Sequence, residues 1–231
     1  MINRYMLSVA RMHLKDRWSW IILPWVILLS SFVINLLIAG IAPMEEEGLT
    51  TGGLSSMFVY FFVGGIVSLV QMYPFALGFN VRRKDFFWGT AIAIGSVSVF
   101  ISIALVLLAF IENATDGWFV NLHFFDLPYF SDGNVLAQLW IYLLLLLFLF
   151  YAGFTISSIY RKFGRNGMYA FFLILALAFT VIGYAATYYG WWADLAHWVS
   201  DYSMLGLANW TLLPTAVFLA ASYSLLRRAT V

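Results

Sequence analysis

The stretch FNVRRKDFFWGT, residues 79–90, places Arg82, Arg83 and Lys84 side by side between two long apolar runs. The chain has only 12 Lys and Arg among 231 residues, so this clustering calls for a cause. The run before it, 57–79, and the run after it, 87–111, are each about as long as a helix needs to cross a hydrocarbon core of ~30 Å at 1.5 Å per residue. In lipid every backbone N–H and C=O must be paired within the segment, which a helix does and a lone strand does not. The stretch therefore reads as a tight polar turn joining two membrane helices.

The same reasoning extends outward to six apolar runs, at about 20–42, 57–79, 87–111, 139–159, 168–189 and 207–226. With 63% hydrophobic and 10% charged residues and a mean hydropathy of +0.90, the chain cannot clothe a water-facing surface. Soluble domains carry about 25% charged residues. The expected fold is an all-α integral membrane protein of six transmembrane helices over residues 18–231, preceded by an amphipathic interfacial helix over 1–17. A net charge of +1 gives no ground for a nucleic-acid partner. The absence of cysteine excludes disulfides, thiol nucleophiles and thiolate metal sites. The first run is too long for a signal-peptide core, and Pro43 follows the one plausible cleavage site after Ala42, so it reads as a retained span.

Charge fixes the expected orientation. If the runs alternate across a bilayer, all 12 basic residues fall on one side: Arg4, Arg11, Lys15 and Arg17; Arg82, Arg83 and Lys84; Arg161, Lys162 and Arg165; Arg227 and Arg228. Nine of the 11 acids fall on the other. The positive-inside rule then places both termini in the cytoplasm of a multi-pass plasma-membrane protein. In the N-terminal segment, Arg4, Ser8, Arg11 and Lys15 recur at helical spacing, with Ile2, Tyr5, Met6, Val9 and Met12 on another face. This is the pattern of a basic helix lying in the headgroup layer of a lipid bilayer.

The outer connections, 112–134 and 188–206, are rich in Trp, Tyr and Phe, which suit the membrane–water boundary either as an aromatic belt or as caps over an exit path. Pro24, Pro74 and Pro214 each break a backbone bond within a span. Ala91/Gly95 and Ser98/Ser102 offer small surfaces for close helix approach.

Chemistry is sparse. No span has an ionisable residue near its middle, where a coupled carrier would need one. Glu112 falls at the outer end of its run, where water is expected to reach it. His13, His123 and His197 lie apart, and Glu45–Glu47 reads as a solvated acidic loop. Asn113-Ala-Thr115 matches the glycosylation triplet. No metal site is expected, and no phosphate-binding loop of the G-x-x-x-x-G-K-[ST] type occurs. The chain is thus expected to have no catalytic residues, no enzymatic activity and no cofactor of its own.

Gly78, Arg82-Arg83, Phe86-Phe87 and Gly89-Thr90, with the six runs, the basic N-terminal segment and the closing LLRRATV, resemble the membrane subunit of a bacterial ABC transporter of the ABC type-2 permease family. The resemblance implies an exporter half in which a second permease subunit, as a homo- or heterodimer, completes the pathway. A cytoplasmic ATP-binding subunit carries the ATP and magnesium. It also implies that Arg82, Arg83, Lys84, Asp85, Phe86 and Phe87 form a coupling helix gripped by that subunit. The residues themselves leave two readings of the turn open. Basic residues alone suffice for an orienting tether, whereas Asp85 and the aromatic group beside it suit a contact element. Two other functions also stay open: a non-transporting immunity or sensory subunit acting through its aromatic outer segments, and an intramembrane enzyme using His123, His197 and outer acids.

Overall fold

A computed structural model describes residues 4–41, 48–127 and 134–227. Glu45–Glu47 and the Arg228 end of the tail lie outside these, as do residues 128–133 of the first outer connection. Within them the chain is built almost wholly of helices: α1 (Arg4–Lys15), α2 (Leu23–Ile41), α3 (Ser55–Val67), α4 (Tyr73–Gly78), α5 (Arg83–Ala114), α6 (Val135–Tyr188), α7 (Trp191–Asp201), α8 (Met204–Trp210) and α9 (Leu212–Arg227). The one β feature among them is a two-residue parallel pairing of β1 (Leu49–Thr50) with β2 (Leu122–His123).

Among the described residues, five helical stretches are long and apolar enough to cross a membrane: Trp18–Ile41, Ser55–Gly78, Arg83–Ala114, Val135–Tyr188 and Met204–Arg227. The fourth and fifth runs of the sequence thus fall in one 54-residue element. It is not one continuous helix, because Gly164 has φ 66° and ψ −164°, a conformation that a residue with a Cβ strongly resists. The two limbs differ sharply. Before Gly164 the helix is buried on several sides, including Tyr142, Phe150 and Phe154; after it, nearly every side chain up to Tyr188 is exposed apart from Ala186.

The prolines explain where the helices are interrupted. Pro24 follows a π-helical turn at Trp18–Ile22, Pro74 follows another at Ser68–Met72, and Pro214 comes just after the break at Thr211 between α8 and α9. A proline ring clashes with the carbonyl four residues back and donates no bond to it. A wider i→i+5 turn before the ring relieves that clash without ending the helix. Pro24 and Pro74 thus lie within longer helical stretches, Trp18–Ile41 and Ser55–Gly78, which they joint without ending.

The core is the first limb of α6 wrapped by α3, α5 and α9. Helices α3 and α6 approach backbone to backbone at Gly65 and Gly153. A Cβ at Gly65 would collide with the Phe150 carbonyl, and one at Gly153 with the Phe62 carbonyl. Of the small pairs expected to bring helices together, Ser98 and Ser102 are fully buried, whereas Gly95 has open space where a Cβ would stand.

Candidate functional site

The turn of residues 79–90 is short and rigidly held. Asn80 adopts a left-handed conformation (φ 55°), Arg82 is extended, and α5 starts at Arg83 with Asp85 in its first turn, where a negative charge complements the helix dipole. Consecutive residues of a helix diverge by about 100°. Phe86 and Phe87 therefore enter different parts of the molecule. The Phe86 ring meets Tyr73 (5.1 Å) and His13 (6.1 Å); the Phe87 ring meets Tyr223 (5.1 Å) and Phe154 (6.2 Å). These two residues tie the turn to α1, α4, α6 and α9 at once.

The six residues expected to form a contact element therefore divide. Asp85, Phe86 and Phe87 are 4%, 0% and 2% exposed and are committed to the chain's own packing. Arg82 and Lys84 are exposed, and Arg83 is half-buried, its Nη1 donating to the Arg227 carbonyl at 3.4 Å. The aromatic pair that looked like a partner's anchor instead fixes the turn in place. Nearby, the Arg161 guanidinium lies 4.6 Å over the Tyr73 ring, bringing the fourth-to-fifth connection to the same basic end.

Helix α1 docks on the start of α5. Gly89 makes this possible: a Cβ there would stand 2.6 Å from the Met6 carbonyl oxygen and 2.6 Å from Val9 Cβ. Val9, Ala10 and His13 form the buried face. The His13 Nε2 pairs with Thr90 Oγ1 at 3.0 Å, and the ring sits edge-on to Trp20. Burial pushes the His13 pKa down from 6.5 to about 4, against the smaller upward pull of Asp16. Arg4, Arg11 and Lys15 of α1, and Arg17 beyond its end, are exposed. The inner stripe, however, is filled by protein, and Tyr5, expected among the apolar contacts, is 56% exposed. His13 was not among the residues of the expected apolar stripe; the signal that places it on the buried face is its four-residue step from Val9.

At the far end of α5, Glu112 is fully buried, so the expected access of water is overturned. Its carboxylate accepts from Trp118 Nε1 (2.8 Å) and from the backbone N–H groups of Phe124 (3.0 Å), Phe125 (2.9 Å) and Asp126 (2.9 Å). His123 Nδ1 lies 4.0 Å away. The loop it gathers is contorted, with Asp116, Trp118, Phe119 and Asn121 all at positive φ. Tyr142 locks the other side by donating to the Phe125 carbonyl at 2.8 Å. The second outer segment forms α7, which carries His197 and has no buried residue. His123 and His197 thus lie on separate elements, and among the described residues no three His, Asp or Glu side chains gather as a metal site.

A cavity of about 250 Å³ lies where the two π-helical turns face each other. Asp16, Ser19, Tyr60, Ser68 and Gln71 line it together with apolar groups such as Trp20, so it is amphipathic. The Tyr60 hydroxyl donates to the Ser19 carbonyl across it.

Comparison with protein-family models, with curated proteins and with solved structures found no match to this chain.

Proposed function

We propose that this chain is the membrane-spanning subunit of an ATP-driven transporter of the ABC type-2 permease kind, worked by a separate cytoplasmic ATPase. In this reading the two limbs of α6 are separate spans, Gly164 marks the cytoplasmic turn between them, and the chain crosses the membrane six times with both ends inside. Arg161, Lys162 and Arg165 flank Gly164, which suits a turn held at a cytoplasmic surface. A second permease subunit completes the pathway.

The observation that carries the proposal is the division within the 79–90 turn. Its Asp-Phe-Phe segment is buried among four helices, while Arg82 and Lys84 project from the end of α5. A force applied to those two side chains is delivered directly into a helix of 32 residues. An orienting tether needs charge at any spacing and no such anchoring. The contact residues are therefore narrowed to Arg82 and Lys84 with the edge of Arg83, and Asp85, Phe86 and Phe87 become the residues that position them. An amphipathic cargo is in keeping with the uncharged middle of the bundle and with the cavity between the π-helical turns.

The test is charge reversal. The double variant Arg82→Glu/Lys84→Glu is expected to insert and fold normally, to lose co-purification of the ATPase, and to lose transport at least tenfold. Full transport by a correctly inserted double variant would overturn the coupling role. Lack of any ATPase partner for the unaltered chain would favour the non-transporting alternative.

A further inference from the structure

We infer that the cavity between the first turn of α5 and the last turn of α9 is a binding site for the phosphate of an anionic phospholipid headgroup. The cavity measures about 440 Å³ and is lined by Arg83, Lys84, Tyr223, Leu226 and Arg227. Three of its five lining residues are cationic. Tyr223, Leu226 and Arg227 share one face of α9 at i, i+3 and i+4, so the guanidinium stands directly beside an apolar floor. The Arg83 bond to the Arg227 carbonyl joins the two helix ends across the cavity and holds one guanidinium at its mouth.

Among the described residues no acid balances these charges. No carboxylate lines the cavity, and Asp85, the nearest in sequence, is 4% exposed and turned into the core. Among the described residues the one acid–base pair within ion-pair distance is His123 with Glu112, at the opposite end of α5. Three converging cations without a counter-charge repel one another, and an anion in their midst removes that penalty. Phosphate matches the donors, since guanidinium groups bind it through paired N–H bonds and an ammonium as a point charge.

The place in the fold selects a lipid as the source. The cavity opens at the ends of two apolar helices long enough to cross a membrane, where a headgroup lies, and its Leu226 and Tyr223 floor suits the glycerol and upper acyl carbons. A free phosphate would use the same cations and leave that floor empty. The site shares Arg83 and Lys84 with the proposed ATPase contact, so it is tested on the chain alone, where only lipid binding is read.

The test uses the full chain purified in detergent, without any ATPase, and compares retention of phosphatidylglycerol with that of phosphatidylcholine by native mass spectrometry. Tighter retention of phosphatidylglycerol is expected. Lys84→Gln and Arg227→Gln should each weaken it about fivefold, from the usual contribution of one basic residue near an anionic headgroup, while Arg165→Ala leaves it unchanged. Glutamine keeps most of each stem, and an unaltered unfolding temperature in lipid-free detergent establishes that the variants fold. A parallel titration with inorganic pyrophosphate separates the sources: binding of pyrophosphate, lost in the Lys84→Gln/Arg227→Gln double variant while lipid retention is not, overturns the lipid assignment in favour of a soluble phosphate. Where pyrophosphate does not bind, equal retention of both lipids, or phosphatidylglycerol retention untouched in the Lys84→Gln/Arg227→Gln variant, overturns the site altogether.

Discussion

Glu112 and His13 stand at opposite ends of the molecule and solve the same problem in opposite ways. Glu112 is a charge kept in the interior by four N–H donors, three of them backbone groups of one short segment. Its removal leaves those donors buried without partners, which costs more than the bonds themselves contribute. Glu112→Gln substitutes an NH2 group for one acceptor oxygen and turns it toward donors. We expect a loss of about 3 kcal/mol, read as a lowered unfolding temperature in detergent together with loosening of the 117–126 loop in hydrogen exchange. His13 is instead held neutral. Its folded-state pKa is about 4 against 6.5 when exposed. Between these values the undocked form binds more protons, so docking of α1 is at full strength above about pH 6.5 and weakens as pH falls toward 4, by up to about 3 kcal/mol. Neither residue could be assigned its role from sequence. A glutamate at the end of an apolar run looks solvated until the loop after it is seen to fold back and cover it.

Among the elements, α1 and the turn before α5 behave as one unit. The sequence disclosed α1 as an amphipathic helix and gave the correct outward side for Arg4, Arg11 and Lys15. It did not disclose that the other side rests on protein, because an apolar stripe fits lipid and a helix equally well. Gly89 decides the matter through its lack of a Cβ. The absence of cysteine allows a direct assay, since Val9→Cys would be the only thiol in the chain. We expect this thiol, buried in the unaltered helix pair, to resist a water-soluble maleimide at pH 7. It should become reactive at pH 7 when Gly89→Leu is added, because leucine displaces Met6 and Val9. At pH 4.5, labelling with 4,4′-dithiodipyridine, which reacts with thiols in acid, should reach it without Gly89→Leu. Protection unaffected by both treatments would contradict the docking. The helix joints were half legible in the same way: the prolines were visible, but the π-helical turns that absorb Pro24 and Pro74 depend on the backbone before each ring.

At the scale of the whole molecule, apolar length alone was enough to find every long helix, because a span of lipid sets its own ruler. The described bundle has five stretches of that kind, one of them broken at Gly164. Packing was less legible. The approach of α3 to α6, through Gly65 against Phe150 and Gly153 against Phe62, joins residues far apart in the chain, and neither glycine stands out among the 17 present. The candidate contact site was half legible for a related reason. Charge marks an exposed turn, but an aromatic residue beside it serves a partner or the core with equal ease, and here Phe86 and Phe87 serve the core. What remains outward at the basic end is Arg82 and Lys84, and the functional account rests on what they touch. The most direct measurement places a photo-activated crosslinking residue at position 84 of the full chain in living cells and identifies the adducts by mass spectrometry. The account predicts a dominant adduct with a cytoplasmic protein that carries a phosphate-binding loop and hydrolyses ATP, absent when the crosslinker is placed at exposed Tyr188, which the proposed topology puts on the opposite side of the membrane. Adducts with lipid alone, or with proteins lacking such a loop, would contradict it.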